Sequence, residues 1–310
     1  MTLNRMALFF TGILILFTSL AWSQIPADTN SLHGVIDFHA HTGPDATPRS
    51  INDLQLVRLA KQAGMRGLVL KNHYFMTADR AELAMEEVGG IEVFGGIVLN
   101  RSAGGINAEA VRRMVQFEGH RGKVIWLPTI DAENAVGHAP GHQPYVSVVK
   151  DGKPVPELAE VFLLAAQNNL VLETGHSSPE ESLTLIAAAK QAGVKNIVVT
   201  HVLLQGANID QMKQMAAMGA VMECCFQPGG LPGAPVNSPV SVSACARAIK
   251  AIGAEHFIID SDLGQKGNPL HPDGLRAFIS ALKADGLSEH EIDLVARKNP
   301  AKLLGLDVGK

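Results

Sequence analysis

Short runs of apolar residues recur along the chain, and segments with helical spacing separate most of them. Ile51, Leu54, Leu56, Val57, Leu59 and Ala60, for example, follow the period of an amphipathic helix. Glycines such as Gly64, Gly193 and Gly253 mark the ends of such segments. The pattern predicts eight β-strands that alternate with helices. The predicted strands span residues 34–41, 66–73, 91–100, 123–131, 169–176, 196–202, 220–226 and 256–263.

Nearly continuous apolar strands are typical of a parallel sheet that helices cover on both faces. Eight strand–helix units in a chain of 310 residues predict an α/β fold, a (β/α)8 TIM barrel, with residues 24–310 as a single domain. A doubly wound open sheet is the alternative. The first strand-to-helix turn, however, lacks the glycine-rich loop that such a sheet uses to bind a dinucleotide.

One connection, residues 132–157, is longer than the others. Within it, two apolar segments flank Lys150-Asp151-Gly152-Lys153, which is typical of a β-hairpin with an Asp-Gly turn. Because the insertion follows the carboxyl end of the predicted fourth strand, we expect a small hairpin over the barrel mouth. Such a hairpin would act as a lid or shape the substrate pocket.

The first 23 residues are typical of a secretory signal peptide. An apolar segment runs from Met6 to Leu20, and small residues, Ala21 and Ser23, precede a cleavage site before Gln24. A membrane anchor is the alternative, but the apolar segment is shorter than the roughly 20 residues of a spanning helix. We therefore expect a periplasmic or secreted protein with no membrane association after cleavage of the signal.

Composition narrows the possible partners. Hydrophobic residues make up 46% of the chain, and 26 basic and 30 acidic side chains give a formal net charge of −4. The chain lacks a run of Lys and Arg, so binding to nucleic acid is not expected. It also lacks the nucleophile elbow of serine hydrolases and the phosphate-binding loop of nucleotide hydrolases. The expected partner is a small-molecule substrate, and the sequence predicts no particular oligomeric state.

Four histidines lie at the predicted carboxyl ends of strands: His39 and His41 in the first, His176 in the fifth and His201 in the sixth. His39 and His41 are two positions apart, so both imidazoles project to the same side of an extended strand. Asp262 lies at the end of the eighth strand. Imidazoles combined with a carboxylate bind divalent transition metals. We therefore predict a metal site, with zinc as the expected ion and manganese or iron as alternatives.

The order of these motifs resembles that of the amidohydrolase superfamily of metal-dependent TIM-barrel hydrolases. The resemblance covers nearly all of the chain after the predicted signal. It is carried by Asp37-Phe38-His39-Ala40-His41, His176, His201, Ser261-Asp262 and the closing segment Asn299-Pro300-Ala301-Lys302-Leu303-Leu304-Gly305-Leu306.

The resemblance implies a role for each of these polar residues. It makes His39 and His41 ligands of a buried metal, and His176 and His201 ligands of a second metal or of the substrate. Asp262 is then a metal ligand that also carries a proton during catalysis, with His201 as a second possible proton acceptor.

Two carboxylates compete for the role at the end of strand eight. Asp260 has the same strand parity as Asp262 and is the alternative. The Ser-Asp pair followed by Gly264 is more similar to the superfamily's ending, which favours Asp262. A helix cap or a turn would explain such an aspartate without a function.

The chain departs from the superfamily at the end of strand four. Many members place there a carboxylated lysine that bridges two metals, or a glutamate, whereas this chain has Pro128-Thr129-Ile130-Asp131. Asp131 is one candidate substitute. Lys71 on strand two is another, either as a bridging lysine or as a cationic contact for an anionic substrate group. The predicted site therefore holds one or two ions.

Other polar residues have less specific patterns. His73 would line the pocket, and Arg101 would either bind a substrate carboxylate or form a surface salt bridge. His138 and His142 are four apart, but the intervening Pro and Gly indicate a loop rather than a helical ligand pair. Glu223 lies on the predicted seventh strand, and the sequence leaves open whether it faces inward or outward.

The resemblance implies hydrolysis of an amide, cyclic amide or ester bond by metal-activated water. Phosphoester hydrolysis and metal-assisted decarboxylation use similar residues in related barrels and remain alternatives. A binding protein that keeps the metal site without turnover is a further alternative, supported by the missing bridging group.

Overall fold

The computed structural model describes residues 32–137, 143–230 and 240–308. Eight parallel strands form one sheet in which each pairs with the next along the barrel. The first and last strands meet through a bridge between Ala40 and Leu263, where the His41 N–H donates to the Leu263 carbonyl oxygen at 2.9 Å. The predicted (β/α)8 barrel is therefore confirmed. The strands are β1 (Ile36–His41), β2 (Gly67–Lys71), β3 (Glu92–Val98), β4 (Gly122–Trp126), the separate pair β5 (Val149–Lys150) and β6 (Lys153–Pro154), β7 (Val171–Glu173), β8 (Asn196–Val199), β9 (Val221–Cys225) and β10 (Phe257–Asp260).

Helices lie between successive barrel strands and cover the outside of the sheet. Across the described residues, no helix is both long and apolar enough to cross a membrane. A π-helical turn over Leu294–Lys298 joins the last two helices. The α-helices are α1 (Asp53–Gln62), α2 (Ala78–Val88), α3 (Ala108–Gln116), α4 (Glu133–Val136), α5 (Leu158–Gln167), α6 (Pro179–Gln191), α7 (Ile209–Ala217), α8 (Val242–Ile252), α9 (His271–Ala284), α10 (Glu289–Asp293) and α11 (Asn299–Leu304).

Capping boxes fix the points at which several helices begin after the mouth loops. The Asn52 side chain accepts a hydrogen bond from the Gln55 N–H, and the Gln55 side chain accepts one from the Asn52 N–H. Ser178 and Glu181 make the same reciprocal pair at the start of α6. Because these bonds satisfy backbone donors that a helix leaves unpaired, each loop at the mouth ends at a defined residue.

The barrel interior is apolar near the amino ends of the strands and polar near their carboxyl ends. Phe38, Val69, Val171 and Ile258 belong to one buried apolar cluster inside the strands, together with Leu304 of α11. α11 packs against this end of the barrel. Polar residues two positions further along three of the same strands are fully buried as well: Lys71, Glu173 and Asp260. These three polar side chains lie beneath the mouth, where the loops meet.

The insertion contains a short antiparallel pair. Val149 pairs with Pro154 and Lys150 with Lys153, so the strands flank Asp151 and Gly152. The pair packs against α6. A role as a lid stays a prediction, and His138 and His142 lie outside the described residues, as does the predicted signal peptide.

Candidate metal centre

A β-bulge in β1 aims two histidines into the barrel. Phe38 faces the apolar interior, whereas Ala40 packs outward against the helices. The register between β1 and β2 shifts between Asp37 and Ala40. As a result, the side chains that face inward after Phe38 are those of His39 and His41, both of which are buried. Bulges beside active sites commonly re-aim side chains in this way.

Other site residues lie where the chain turns out of a strand. His201 follows β8 with φ of 49°, and Asp262 follows β10 with φ of 47°. Gly175, just before His176, has φ of 65°, and a Cβ there would clash with the carbonyl oxygens of Leu127 and Pro128 in the loop after β4. Residues other than glycine rarely adopt this left-handed conformation, and those that do often occupy functional sites.

Five imidazoles from four strands form a closed ring at the barrel mouth. Four of them are the predicted metal ligands, and the fifth is His73, which was predicted to line the pocket. Their neighbouring ring centroids are 5.1 Å apart for His39–His41, 4.7 Å for His41–His73, 6.1 Å for His73–His176, 5.6 Å for His176–His201 and 4.8 Å for His201–His39. The structure therefore brings together histidines from distant parts of the chain.

The Asp262 carboxylate lies against one side of this ring. Its Oδ1 is 3.2 Å from His41 Nε2 and 3.7 Å from His39 Nε2, and its Oδ2 is 3.7 Å from His201 Nε2. The ligand atoms of His39, His201 and Asp262 all lie within 4.8 Å of one another, which makes these residues a group that can hold a metal ion.

Several imidazole nitrogens remain open to a ligand. Within the described residues, the buried Nε2 atoms of His39 and His176 and the buried Nδ1 of His41 have no hydrogen-bond partner. Burial lowers the pKa of all three histidines, and that of His41 falls to about 3. At neutral pH they are uncharged, as metal ligation requires. These donors fit a divalent transition metal.

Neighbouring imidazoles stabilise the ionised form of Asp262. Burial alone would raise its pKa, but the charge of His201 and a hydrogen bond with His41, with a smaller effect of His39, outweigh burial and hold the pKa below the usual value. For His201 burial alone would lower the pKa, but Cys225, Glu223 and Asp262 raise the pKa well above normal. The site thus contains a carboxylate that is available to a cation or a proton at neutral pH.

Glu223, whose orientation the sequence left open, faces inward from β9 and is fully buried. Its Oε1 accepts a hydrogen bond from His39 Nδ1 at 2.9 Å. Its Oε2 accepts one from the His201 backbone N–H at 2.8 Å and lies 2.8 Å from His201 Nδ1. Burial would raise the pKa of Glu223, but His201 and His39 lower it well below normal, so this carboxylate is ionised.

Lys71 extends inward from β2 and is fully buried, with its Nζ 3.9 Å from the centre of the Trp126 ring. Burial lowers its pKa to about 7, against the opposing effect of Glu173 and Glu223. Glu173 on β7 is also buried and accepts a hydrogen bond from the Thr200 hydroxyl at 2.9 Å. Lys71 is therefore an interior residue and not a flexible surface lysine. A bridging or substrate-binding role for Lys71 stays a prediction.

Glu173 also belongs to a second group of possible metal ligands, with His39 and Glu223. All three residues are buried. Burial and the neighbouring Glu223 raise the pKa of Glu173 well above normal, which favours its neutral form and weakens it as a metal ligand. The first group, His39 with His201 and Asp262, is the better candidate because its carboxylate, Asp262, has a lowered pKa and is partly exposed at the mouth.

Two more aspartates lie deeper than Asp262. Asp37 Oδ1 accepts hydrogen bonds from the Ser261 N–H at 2.9 Å and the His39 N–H at 3.3 Å, and burial raises its pKa to about 7. Burial and the adjacent Glu223 raise the pKa of Asp260 well above normal. Only Asp262 contacts the imidazoles at ion-pair distance among these aspartates in the described residues, so the geometry favours Asp262 over Asp260.

His73 is held by residues of neighbouring loops. Its Nδ1 lies 2.9 Å from the Thr129 hydroxyl, and the Asn100 side chain donates to both that hydroxyl and the His73 carbonyl oxygen. Burial lowers the pKa of His73 far below its ordinary value. The end of strand four therefore contributes a threonine that orients His73.

Arg101 and Asp131 lie beside each other at the edge of this region. The Arg101 N–H donates to Asp131 Oδ2 at 2.9 Å, and Arg101 is exposed. Within the described residues, no hydrogen bond or ion pair joins either side chain to the five imidazoles. The structure does not bring them into the ring, and their proposed roles stay predictions.

Solved structures of similar shape include hydrolases. An organophosphorus hydrolase from Deinococcus radiodurans has a TM-score of 0.59 and 15% identity, with 89% of this chain and 94% of that chain covered. An amidohydrolase from Pseudomonas aeruginosa has a TM-score of 0.62 and 12% identity, with coverage of 92% and 99%. A structure described as organophosphate hydrolysis engineered from a weak promiscuous lactonase has a TM-score of 0.59 and 15% identity, with coverage of 89% and 97%. These likenesses confirm the resemblance at the level of the fold.

Sequence comparison gives a narrower result. No curated protein matches the chain. A family model described as a family of unknown function, DUF6282, matches residues 34–223, and because the match spans more than half of the chain, the protein belongs to that family.

Proposed function

We propose that this chain is an exported, metal-dependent hydrolase that cleaves an amide, cyclic amide or ester bond of a small molecule. The observation that carries the proposal is the convergence of His39, His201 and Asp262, whose ligand atoms lie within 4.8 Å of one another at the barrel mouth. Organophosphorus hydrolases and an amidohydrolase share the fold, which supports hydrolysis as the reaction class.

The proposed ion, with zinc as the expected metal, would be held by His39, His41, His201 and Asp262. Such an ion supplies Lewis acidity and lowers the pKa of a bound water from about 15.7 toward 7. The unpaired Nε2 of His39 and the carboxylate of Asp262 are the donors best placed for this role. His176 and His73, on the opposite side of the ring, would contact a second ion or the substrate.

Asp262 is the proposed proton acceptor. Its side chain is 17% exposed, so water and substrate can reach it, and its lowered pKa keeps it ionised before the reaction. The attacking water gives its proton to Asp262, the water oxygen bonds to the substrate carbonyl carbon, and the bond to the leaving group breaks. Asp262 then returns the proton to the leaving group. His201 is the second candidate for this proton.

The number of ions depends on whether a residue bridges two of them. Lys71 and Asp131 are the candidates, because the end of strand four supplies Thr129, which holds His73 instead. We propose one ion. If two ions per chain are found, the ligand that bridges them would be Lys71, as a carbamate, or Asp131.

A second candidate reaction is hydrolysis of a phosphoester. The observation that favours it is the group of organophosphorus hydrolase structures with the same fold, one of which was engineered from a lactonase. Decarboxylation and metal-dependent binding without turnover are the remaining alternatives.

The test begins with elemental analysis of the purified protein, after chelation and reloading with zinc, manganese or iron. Each form is then assayed with lactones, aryl esters, amides, cyclic amides and phosphotriesters. His290→Ala, at an exposed histidine of α10, is the matched control for His39→Ala. The proposal predicts metal-dependent turnover that His39→Ala loses and His290→Ala keeps. Tight ligand binding without turnover of any substrate would favour the binding protein, and failure to bind any of the three ions would refute the metal centre.

Export is part of the proposal and has its own test. Expression with the full amino-terminal segment, followed by fractionation and mass measurement, should give a periplasmic or secreted protein that begins at Gln24. A protein that keeps residues 1–23 and sediments with membranes would indicate an anchor instead.

A further inference from the structure

We propose that Glu223 is a positioning residue that fixes the ring tautomers of His39 and His201, so that both Nε2 atoms face Asp262. One carboxylate reaches two imidazoles from different strands: Oε1 accepts from His39 Nδ1 at 2.9 Å, and Oε2 lies at an ion-pair distance of 2.8 Å from His201 Nδ1, although these two atoms are not aligned as a hydrogen bond. The same Oε2 accepts the His201 backbone N–H at 2.8 Å.

A Glu223 oxygen already accepts the His201 backbone N–H, so this carboxylate offers acceptor atoms to the two rings and favours a proton on Nδ1 of each ring. A neutral ring whose Nδ1 carries the proton toward Glu223 leaves Nε2 with a lone pair. In both histidines that Nε2 lies 3.7 Å from an oxygen of Asp262. Glu223 therefore lies behind the two rings, while the open nitrogens converge on the opposite side.

The position of Glu223 on the barrel explains why it can hold both rings. β9 lies between β8, which precedes His201, and β10, which leads to Asp262. Glu223 is fully buried, so water does not compete for its oxygens. Its Oε2 bond to the His201 N–H also supports a backbone turn with a positive φ. A carboxylate that orients metal-binding imidazoles in this way typically contributes a factor of about 10 to 100 in metal affinity.

Glu173 provides a matched control. It is a second fully buried glutamate on the inner face of the barrel, but it bonds to the Thr200 hydroxyl rather than to an imidazole. Replacing either glutamate by glutamine keeps a buried side chain of nearly the same shape. Only Glu223→Gln places an amide N–H₂ group, a donor, where one of the two rings needs an acceptor.

The first measurement is ¹⁵N NMR of the histidine rings in metal-free protein, at a pH where both rings are neutral. Signals are assigned with single substitutions at His39 and His201. We expect the wild type and Glu173→Gln to protonate Nδ1 in both rings. In Glu223→Gln, at least one ring should move its proton to Nε2. Unchanged tautomers in Glu223→Gln would overturn the proposal, as would an equal change in Glu173→Gln.

The consequence for the metal rests on the proposed function and is measured separately. Competition with a chromophoric chelator should show zinc affinity about 10- to 100-fold weaker in Glu223→Gln than in wild type, and little changed in Glu173→Gln. Equal affinity in wild type and Glu223→Gln would refute the positioning role toward the ion. If the wild type binds no zinc, the metal centre fails while the tautomer result still decides the role of Glu223. If Glu223→Gln does not fold, the wild-type spectrum decides, because Nε2-protonated rings there would contradict the proposal.

Discussion

Lys71→Met tests whether the barrel interior contains a buried, uncompensated amine. Lys71 is fully buried, and in the described residues its Nζ has no hydrogen-bond partner. Burial lowers its pKa from 10.5 to about 7, and Glu173 and Glu223 oppose this shift only in part. The difference of about 3.5 units corresponds to about 5 kcal/mol, at about 1.4 kcal/mol per unit.

The sign of the pH dependence follows from proton binding. Between about pH 7 and 10.5 the unfolded chain holds the Lys71 proton while the folded chain has released it, so wild-type stability rises with pH. Lys71→Met has no such proton. Relative to this variant, the wild type should gain about 3 kcal/mol between about pH 7 and 9.5. Below about pH 7 the folded chain carries the Lys71 charge, and the full free-energy cost of burying this charge lowers the stability of the wild type.

The assay is urea unfolding of metal-free wild type and Lys71→Met at a series of pH values, in buffer depleted of carbon dioxide to keep the amine free. Lys213→Met, at an exposed lysine of α7, is the control and should follow the wild type. Parallel stability curves for wild type and Lys71→Met across this range would refute the reasoning, because they would mean that folding leaves the pKa of Lys71 unchanged.

Three further substitutions test the site. His39→Ala should remove most of the bound metal and most of the hydrolytic activity, and a normal metal content by elemental analysis would contradict the ligand assignment. Asp262→Asn should keep more of its metal than of its kcat, whereas full activity would move the proton-transfer role to Asp260 or His201. His271 donates from Nε2 to the His41 carbonyl oxygen, 3.0 Å away, and burial lowers the pKa of His271 from 6.5 to about 4. The unfolded chain therefore binds this proton first as pH falls, and wild type should lose about 3 kcal/mol more stability than His271→Gln between about pH 6.5 and 4. Urea titrations that show equal losses in both proteins would exclude this assignment.

The repeated alternation of strands and helices was sufficient to predict the barrel. All eight predicted barrel strands are present, although most are shorter at their carboxyl ends. The difference is largest at β4, predicted to reach Asp131 but ending at Trp126. Residues such as Gly175 and His201 turn the chain out of the sheet, because a site at the mouth needs side chains that point across it rather than along a strand.

The histidines of β1 illustrate what spacing does and does not show. Two imidazoles two positions apart share a face, and both do face the site. A strictly alternating strand, however, would put Phe38 and His39 on opposite faces, and only the bulge allows Phe38 to enter the core while His39 joins the metal centre. Such a bulge depends on how β1 pairs with β2, and the local sequence of β1 does not reveal this pairing.

Glu173 was missed and the orientation of Glu223 was left open, although the sequence contained a signal for both. Glu173 and Glu223 each interrupt an apolar run within a predicted strand. A parallel strand covered on both faces has no solvent side, so a charged residue there must be buried and needs a partner. That argument places both carboxylates in the interior. It does not identify His39 or His201 as partners of Glu223, because this depends on how three separate strands align.

The seam where the barrel closes lies within the proposed metal centre. The Ser261 N–H and the Asp37 carboxylate bond across it although they are 224 residues apart in the chain. His39 and Asp262 extend from the same two edges, so the site exists only after the two ends of the fold have met. An ion bound there would connect the two edges of the barrel. At a free ion concentration a thousand times its dissociation constant, binding would stabilise the folded, closed barrel by about 4 kcal/mol.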